Sequence, residues 1–185
     1  MYQFSPEITD SIKALEFRPH MLETAWDYYS VAHQGSTNKG YIKASLSCLS
    51  LEIILKSFNS KITKNKGKLN EKYQPNQQIN KLGRDKHNLF ELLSLIDEQY
   101  KNYLFSKSEI EIIIKHKNSF LSTRYGYEES VPLLISDDIS KIAASVICKM
   151  VYLYKHMGCE DPFITRFNCN EVYFNHVQKM FLVTE

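Results

Sequence analysis

The chain has 185 residues, of which 43% are hydrophobic and 24% are charged, and these proportions are ordinary for a folded globular protein. Its formal net charge of +2 excludes the strongly basic balance that marks many nucleic-acid-binding surfaces. No run of about 18 apolar residues occurs in the sequence, and its N-terminus lacks an apolar run after its charges. We therefore expect a cytoplasmic protein with neither a membrane span nor a signal peptide.

Apolar residues recur at helical spacing in several segments of the chain. In chain order they predict a short leading helix over residues 6–17, a helix over 19–33 and a broad-faced helix over 41–58. Residues 62–82 show no sustained period and are rich in Lys, Asn and Gln. We expect them to form a long basic loop, which in a compact domain is usually functional or disordered.

Further helices are predicted beyond that loop. One covers residues 85–103 and begins with a capping aspartate, and the next covers 106–121 and begins with a capping box. The most regular one covers 139–157 and is followed by Gly158, a residue that suits a left-handed C-terminal cap. Residues 170–182 are consistent with one more helix or with a pair of strands.

The apolar pattern favours helices throughout, because no set of segments alternates apolar and polar residues as a sheet requires. We predict an all-α fold, an antiparallel up-and-down bundle of four main helices with one or two accessory helices. Residues 1–185 are expected to form a single domain, with a bundle core at about 19–158 and a C-terminal extension at 159–185. The four cysteines show no Cys-x-x-Cys spacing, so we expect reduced thiols, no metal site and no cofactor.

A polar junction at residues 121–129 separates two of the predicted helices. It contains Arg124, Tyr125, Tyr127 and Glu128. An arginine is able to bind a phosphate or a carboxylate through two parallel hydrogen bonds, and a tyrosine stacks readily on a base. The first interpretation of the junction is therefore a ligand-binding pocket.

A purely structural role for the junction is the interpretation that we place ahead of the pocket. Arg124 is equally able to pair with Glu128 or with Glu52, which would fix the loop onto the bundle while the tyrosines fill gaps. Glu52 itself stands four residues before Lys56 on one predicted helix, the favourable order for an ion pair.

Three segments together resemble HEPN domains (higher eukaryotes and prokaryotes nucleotide-binding). Residues 51–56 read LEIILK, residues 86–93 read KHNLFELL, and residues 120–125 read FLSTRY. They resemble the early helix of the family, its His-x-Leu-x-x-Leu helix start and the Arg-Tyr segment before its last bundle helix, in the family's order. The resemblance implies a homodimeric helical bundle from a prokaryotic toxin–antitoxin, antiviral or stress system. It also implies that His87, His116 and Lys56 converge on the junction.

Active HEPN ribonucleases carry an Arg-x4–6-His motif, which this chain lacks. Arg18, Arg84 and Arg166 precede the next histidine by one, two and nine intervening residues, and no histidine follows Arg124 at the required spacing. We therefore do not expect a ribonuclease of the usual HEPN type.

Two functions from different classes follow from these residues. The first is a non-catalytic binding module that recognises a nucleotide, RNA or a partner protein. The second is a metal-independent ribonuclease with a displaced site built from His116, Arg124 and His87. In such a site a histidine would move the proton of the ribose hydroxyl while the arginine stabilises the charge on the phosphate.

Overall fold

The computed structural model describes residues 3–34, 39–68, 70–117 and 137–178. Within these ranges the protein is mostly helical and carries one two-stranded antiparallel hairpin, so the prediction of a purely all-α fold is wrong. In chain order the elements are α1 at Pro19–Gln34, α2 at Gly40–Ser57, β1 at Ser60–Lys64, β2 at Lys72–Pro75, α3 at Gln77–Lys81, a 3₁₀ turn at Gly83–Asp85, α4 at Leu89–Ser94, α5 at Glu98–Leu104, α6 at Lys107–Lys115, α7 at Asp138–His156, α8 at Pro162–Arg166, α9 at Cys169–Tyr173 and a π-helical turn at Phe174–Gln178.

The three longest of these helices, α1, α2 and α7, pack against one another through small side chains. The Ser50 hydroxyl on α2 donates to the Ala25 carbonyl on α1 at 2.7 Å, and Ser47 on α2 is hydrogen-bonded to Ser140 on α7 at 2.9 Å. Because residues 35–39 join α1 to α2, contact between their middle portions means that the two helices run antiparallel. The predicted helices at these three places are confirmed.

Helix α7 is the centre of the core. Thirteen of its 19 residues are buried, as expected for a helix that is apolar on nearly every side. Gly158 follows it with φ of 80°, and the Cys159 amide donates back to the Tyr154 carbonyl at 2.9 Å, which is the predicted left-handed cap. Across the described ranges no helix is both long and apolar enough to cross a lipid bilayer.

The predicted helix over residues 85–103 is divided into α4 and α5. The Leu95 carbonyl between them accepts a hydrogen bond from Asn59 Nδ2 at 3.1 Å, and Asn59 lies just after α2. In a continuous helix this carbonyl would instead accept from a backbone amide one turn further along. The cap of α4 is Asn88, whose side chain accepts from the Phe90 and Glu91 amides. The expectation that Asp85 provides this cap is wrong.

The leading helix predicted over residues 6–17 is also wrong. This segment is irregular, with one turn closed by the Ile12 amide and the Thr9 carbonyl at 3.0 Å. Distant side chains bind its backbone, since the Tyr100 hydroxyl donates to the Lys13 carbonyl at 3.0 Å. Tertiary hydrogen bonds therefore replace the helical ones, and the N-terminal Phe4 joins the same apolar core as the three long helices.

Two later predictions are met over part of their length. Ser106 and Glu109 form the predicted capping box at the start of α6, where the Ser106 amide donates to Glu109 Oε2 at 2.7 Å. This helix ends at Lys115, and residues 118–121 lie outside the described ranges. The C-terminal segment is helical through α9 and the π-helical turn, and residues 179–182 lie outside the description.

The segment predicted as a long basic loop contains the hairpin. Strands β1 and β2 pair in the register Ser60↔Pro75, Lys61↔Gln74 and Ile62↔Tyr73, with an irregularity before Lys64↔Lys72. Two strands alone are marginal in water, so this hairpin depends on contacts beyond its own ladder.

A buried carboxylate organises the loop of the hairpin. Glu71 is 4% exposed and accepts hydrogen bonds from the Gly67 amide at 2.6 Å and from the Tyr73 hydroxyl. Burial and the neighbouring carboxylate raise the pKa of Tyr73 above its ordinary value. The tyrosine therefore keeps its proton and remains a donor to Glu71.

A buried guanidinium attaches the hairpin to the long helices. Arg18, the residue before α1, is 5% exposed, and its Nε and Nη2 both donate to the Ser60 carbonyl, at 3.0 and 2.6 Å. Its Nη2 also binds Glu16 Oε2 at 2.8 Å, and its amide donates to the Tyr154 hydroxyl at 3.1 Å. One residue thus joins the start of α1, the start of β1 and the end of α7.

Substitution of Arg18 by Met tests this attachment. The Ser60 carbonyl would lose both donors in a buried position, so we expect the free energy of unfolding to fall by about 2–4 kcal/mol. Urea denaturation measures the loss, and hydrogen exchange should accelerate selectively in β1 and β2. Arg84→Met at an exposed arginine is the control, and an equal loss in both variants would show that Arg18 has no special role.

Candidate functional site

The predicted site residues divide into those that the structure describes and those that it does not. Arg124, Tyr125, Tyr127 and Glu128 belong to residues 118–136, which lie outside the described ranges. The ligand-binding and structural interpretations of the junction therefore both stay predictions. Glu52, Lys56, His87 and His116 are described, and the first three form one hydrogen-bonded cluster.

Glu52 is the centre of that cluster. It is 3% exposed, and its Oε1 accepts from Lys56 Nζ at 2.6 Å and from His87 Nδ1 at 2.8 Å. Its Oε2 is fully buried and has no hydrogen-bond partner among the residues that the structure describes. Both donors to this carboxylate therefore bind the same oxygen, Oε1.

Local structure explains how these three side chains meet. Glu52 and Lys56 lie one turn apart on the same face of α2, as their spacing predicts. His87 lies in the turn before α4, where the Asn88 amide donates to the Asp85 carbonyl at 2.8 Å and the Asn88 side chain caps the helix. Because α4 packs on α2, this turn presents the imidazole to Glu52.

The end of α6 reaches the same region. The Leu89 amide at the start of α4 donates to the Lys117 carbonyl at 3.1 Å, so the backbone beside His116 contacts the backbone beside His87. Burial lowers the pKa of His116 below its ordinary value, Asp138 on α7 opposes that effect, and Lys115 adds to it. His116 thus lies between the His87 segment and the beginning of α7.

The chemistry available to the cluster is limited by its internal bonds. A carboxylate at Nδ1 orients an imidazole and favours the tautomer that keeps a proton on that nitrogen. Lys56 Nζ is bound to the same oxygen, so the ammonium group and this ring nitrogen are both engaged by Glu52. The arrangement is that of a structural ion-pair network more than that of an open catalytic centre.

A second polar region was not predicted from the sequence. It is a cavity of about 180 Å³ where the end of α1 meets the beginnings of α2 and α7. Its lining residues are Tyr29, His33, Lys43, Asp137, Ser140, Lys141, Asn175 and His176. They come from four separate parts of the chain, and no local motif connects them.

The cysteines and acids give no sign of a metal centre in the described ranges. No group of three or more His, Cys, Asp or Glu side chains there is placed to hold a metal ion. All four cysteines are buried and unbridged. Cys148 and Cys169 are neighbours whose thiols lie 3.8 and 3.7 Å from each other's carbonyl oxygens, and burial raises the pKa of both thiols.

Comparisons of the chain with protein-family models, with curated proteins and with solved structures gave no match. The HEPN-like resemblance in the sequence therefore stays a prediction.

A pair of double-mutant cycles tests whether the interactions within the Glu52 cluster contribute to the free energy of unfolding. Glu52→Gln and Lys56→Met should show a coupling energy of about 1–3 kcal/mol, because Glu52 is buried and the pair shares a third partner. Glu98 and Lys101 form the matched control, at 3.0 Å and with Glu98 70% exposed, and should couple by about 0–1 kcal/mol. Equal coupling in the two cycles, measured by urea unfolding, would contradict the network.

The pKa of His116 predicts a pH effect on stability. Since burial lowers this pKa in the folded protein, the unfolded chain binds more protons as the pH falls below about 6.5. The stability contributed by neutral His116 is present above that pH and is lost as the pH falls through the lower, folded pKa.

We expect His116→Gln to lose less stability than the unsubstituted protein between about pH 7 and pH 5. Urea unfolding at a series of pH values measures the difference, and His156→Gln, at an exposed histidine, is the control. A pH dependence that His116→Gln leaves unchanged would refute the assignment.

Proposed function

We propose that the protein is a non-catalytic, HEPN-like binding module that recognises a nucleotide, RNA or a partner protein. It acts in the cytoplasm as a homodimer, within a prokaryotic defence or stress system. The observation that supports binding over catalysis is the Glu52 cluster. Lys56 Nζ and His87 Nδ1 are both bound to one buried carboxylate oxygen, so this amine and this ring nitrogen are engaged in holding the turn before α4 against α2.

The arrangement of the long helices supports the up-and-down bundle that this proposal includes. The end of α1 and the starts of α2 and α7 border one cavity, while Arg18 at the start of α1 contacts Tyr154 near the end of α7. Helix α1 is therefore antiparallel to both α2 and α7. Helix α6 supports the third arm of such a bundle, because Leu104 shortly before it accepts from Lys149 on α7 and His116 at its end lies near Asp138 at the start of α7.

The second candidate, a ribonuclease with a displaced site, has one specific observation in its favour. His116 lies beside the His87 segment, and its lowered pKa keeps the imidazole neutral near pH 7. A neutral, partly buried imidazole suits a general base that takes a proton from a ribose hydroxyl. This candidate needs Arg124 as the group that stabilises the charged phosphate.

One pair of experiments separates the candidates. A thermal-shift screen with nucleoside mono-, di- and triphosphates and short RNAs should raise Tm with increasing ligand, because a ligand that binds only the folded state stabilises it by mass action. Under the same conditions, with a metal chelator present, labelled RNA should remain intact.

The decisive controls are His116→Ala and Arg124→Ala in the cleavage assay, with His156→Ala as a matched exposed histidine. Cleavage that both site variants abolish and the control leaves intact would establish the ribonuclease and reject the binding module. If nucleotides and RNA leave Tm unchanged and RNA stays intact, recognition of a partner protein is the remaining form of the proposal. Light scattering after size exclusion tests the homodimer.

A further inference from the structure

The cavity between α1, α2 and α7 has the lining of an anion site. Lys43 lies in the first turn of α2 and Lys141 in the first turn of α7, and both border the cavity. Two cationic side chains therefore approach one small space from separate helices. Asp137, which is exposed, is the single acid among the lining residues that the structure describes.

Backbone groups add to this positive bias. Residues of the first turns of α2 and α7 line the cavity, and neither Lys39 nor Asp137, the N-cap residues of these helices, makes a side-chain cap hydrogen bond. The N–H groups of a first turn have no partner inside the helix, and the helix dipole makes that end attractive to an anion. Both helices are longer than four turns, so this effect is fully developed in each.

An aromatic wall closes the other side of the cavity. Tyr29 and His33 are stacked with ring centroids 4.3 Å apart, and His176 meets them edge-on at 5.6 and 5.8 Å. Tyr29 is only 1% exposed, and no hydrogen bond to its hydroxyl is found among the described residues. Burial and the nearby Asp137 raise the pKa of this hydroxyl, so it stays a protonated donor beside the cavity.

The size of the cavity limits what it can hold. Pockets for whole drug-sized ligands run from about 300 to 1,000 Å³, and this one is about 180 Å³. An entire nucleotide exceeds it, whereas a single phosphate group with its three or four acceptor oxygens matches both the volume and the set of donors.

We propose that this cavity binds one phosphate group, either as inorganic phosphate or as the phosphate of a nucleoside monophosphate, through Lys43, Lys141 and the first turns of α2 and α7. In its second form the inference rests on the proposed binding function, because the nucleoside would lie outside the cavity. The site is separate from the Glu52 cluster, since Lys43 and Glu52 are nine residues apart on α2, about 13 Å along its axis.

The test uses the full chain and titrates it with inorganic phosphate, a nucleoside monophosphate and the matching nucleoside, followed by calorimetry or by amide NMR shifts. Phosphate should bind saturably, and Lys43→Gln and Lys141→Gln should each weaken it about tenfold, the usual effect of losing one charge-assisted hydrogen bond. Lys64→Gln removes the same charge from the exposed hairpin. The hairpin lies at the start of α1 and the cavity at its end, so this substitution should change the affinity less than twofold.

The outcomes of this titration separate the phosphate site from the nucleotide-binding function. Absence of saturable phosphate binding, or equal weakening by Lys64→Gln, overturns the site even if a nucleotide binds elsewhere. Phosphate binding that depends on both lysines, together with no further gain from the nucleoside monophosphate, confirms the site as one for free phosphate and counts against the nucleotide-binding function. Tighter binding of the monophosphate than of phosphate, with the nucleoside alone inactive, supports both. Far-ultraviolet circular dichroism of each variant verifies that it is folded.

Discussion

The close packing of α1, α2 and α7 is the constraint on which the rest of the structure depends. Small residues at the contacts, such as Ala25, Ser47 and Ser140, let the helix backbones approach, and the serine hydroxyls find partners across the interface. A buried hydroxyl without a partner would cost free energy, so these pairs also fix how the helices are aligned. The other elements dock onto the surface that this trio leaves.

Buried charges determine where several of those elements dock. Arg18 would be costly in the core without partners, and the Ser60 carbonyl and Glu16 supply them, so the hairpin is held beside the start of α1. Glu52 on α2 holds the turn before α4 through His87 in the same way. Each ion is stable because several hydrogen bonds converge on it, and removal of a single partner should be felt across two elements.

The elements that could be predicted from the sequence are those determined by residues close together in the chain. The long helices follow from apolar residues at helical spacing, the α6 start follows from Ser106 and Glu109, and the end of α7 follows from Gly158. The hairpin could not be predicted, because its strands are lysine-rich and short and depend on Arg18, which is remote in sequence. The break between α4 and α5 has the same origin, since Asn59 engages the Leu95 carbonyl.

The candidate sites show a similar division. Glu52 and Lys56 were predicted to pair from their four-residue spacing, and His87 joins them only because α4 packs on α2. The cavity was missed, since Lys43 and Lys141 are almost a hundred residues apart and each, taken alone, is an ordinary first-turn lysine. Only the convergence of two helix starts makes them neighbours.

The most direct test of the account as a whole is an amide NMR map of the protein in complex with a short RNA that carries a 5′-phosphate, with the RNA recovered afterwards. Binding through the helical core predicts shifts concentrated in the first turns of α2 and α7 and around His176, together with RNA of unchanged length. Shortened RNA would contradict the binding function, and shifts centred on His87 and His116 with the cavity unaffected would contradict the phosphate site.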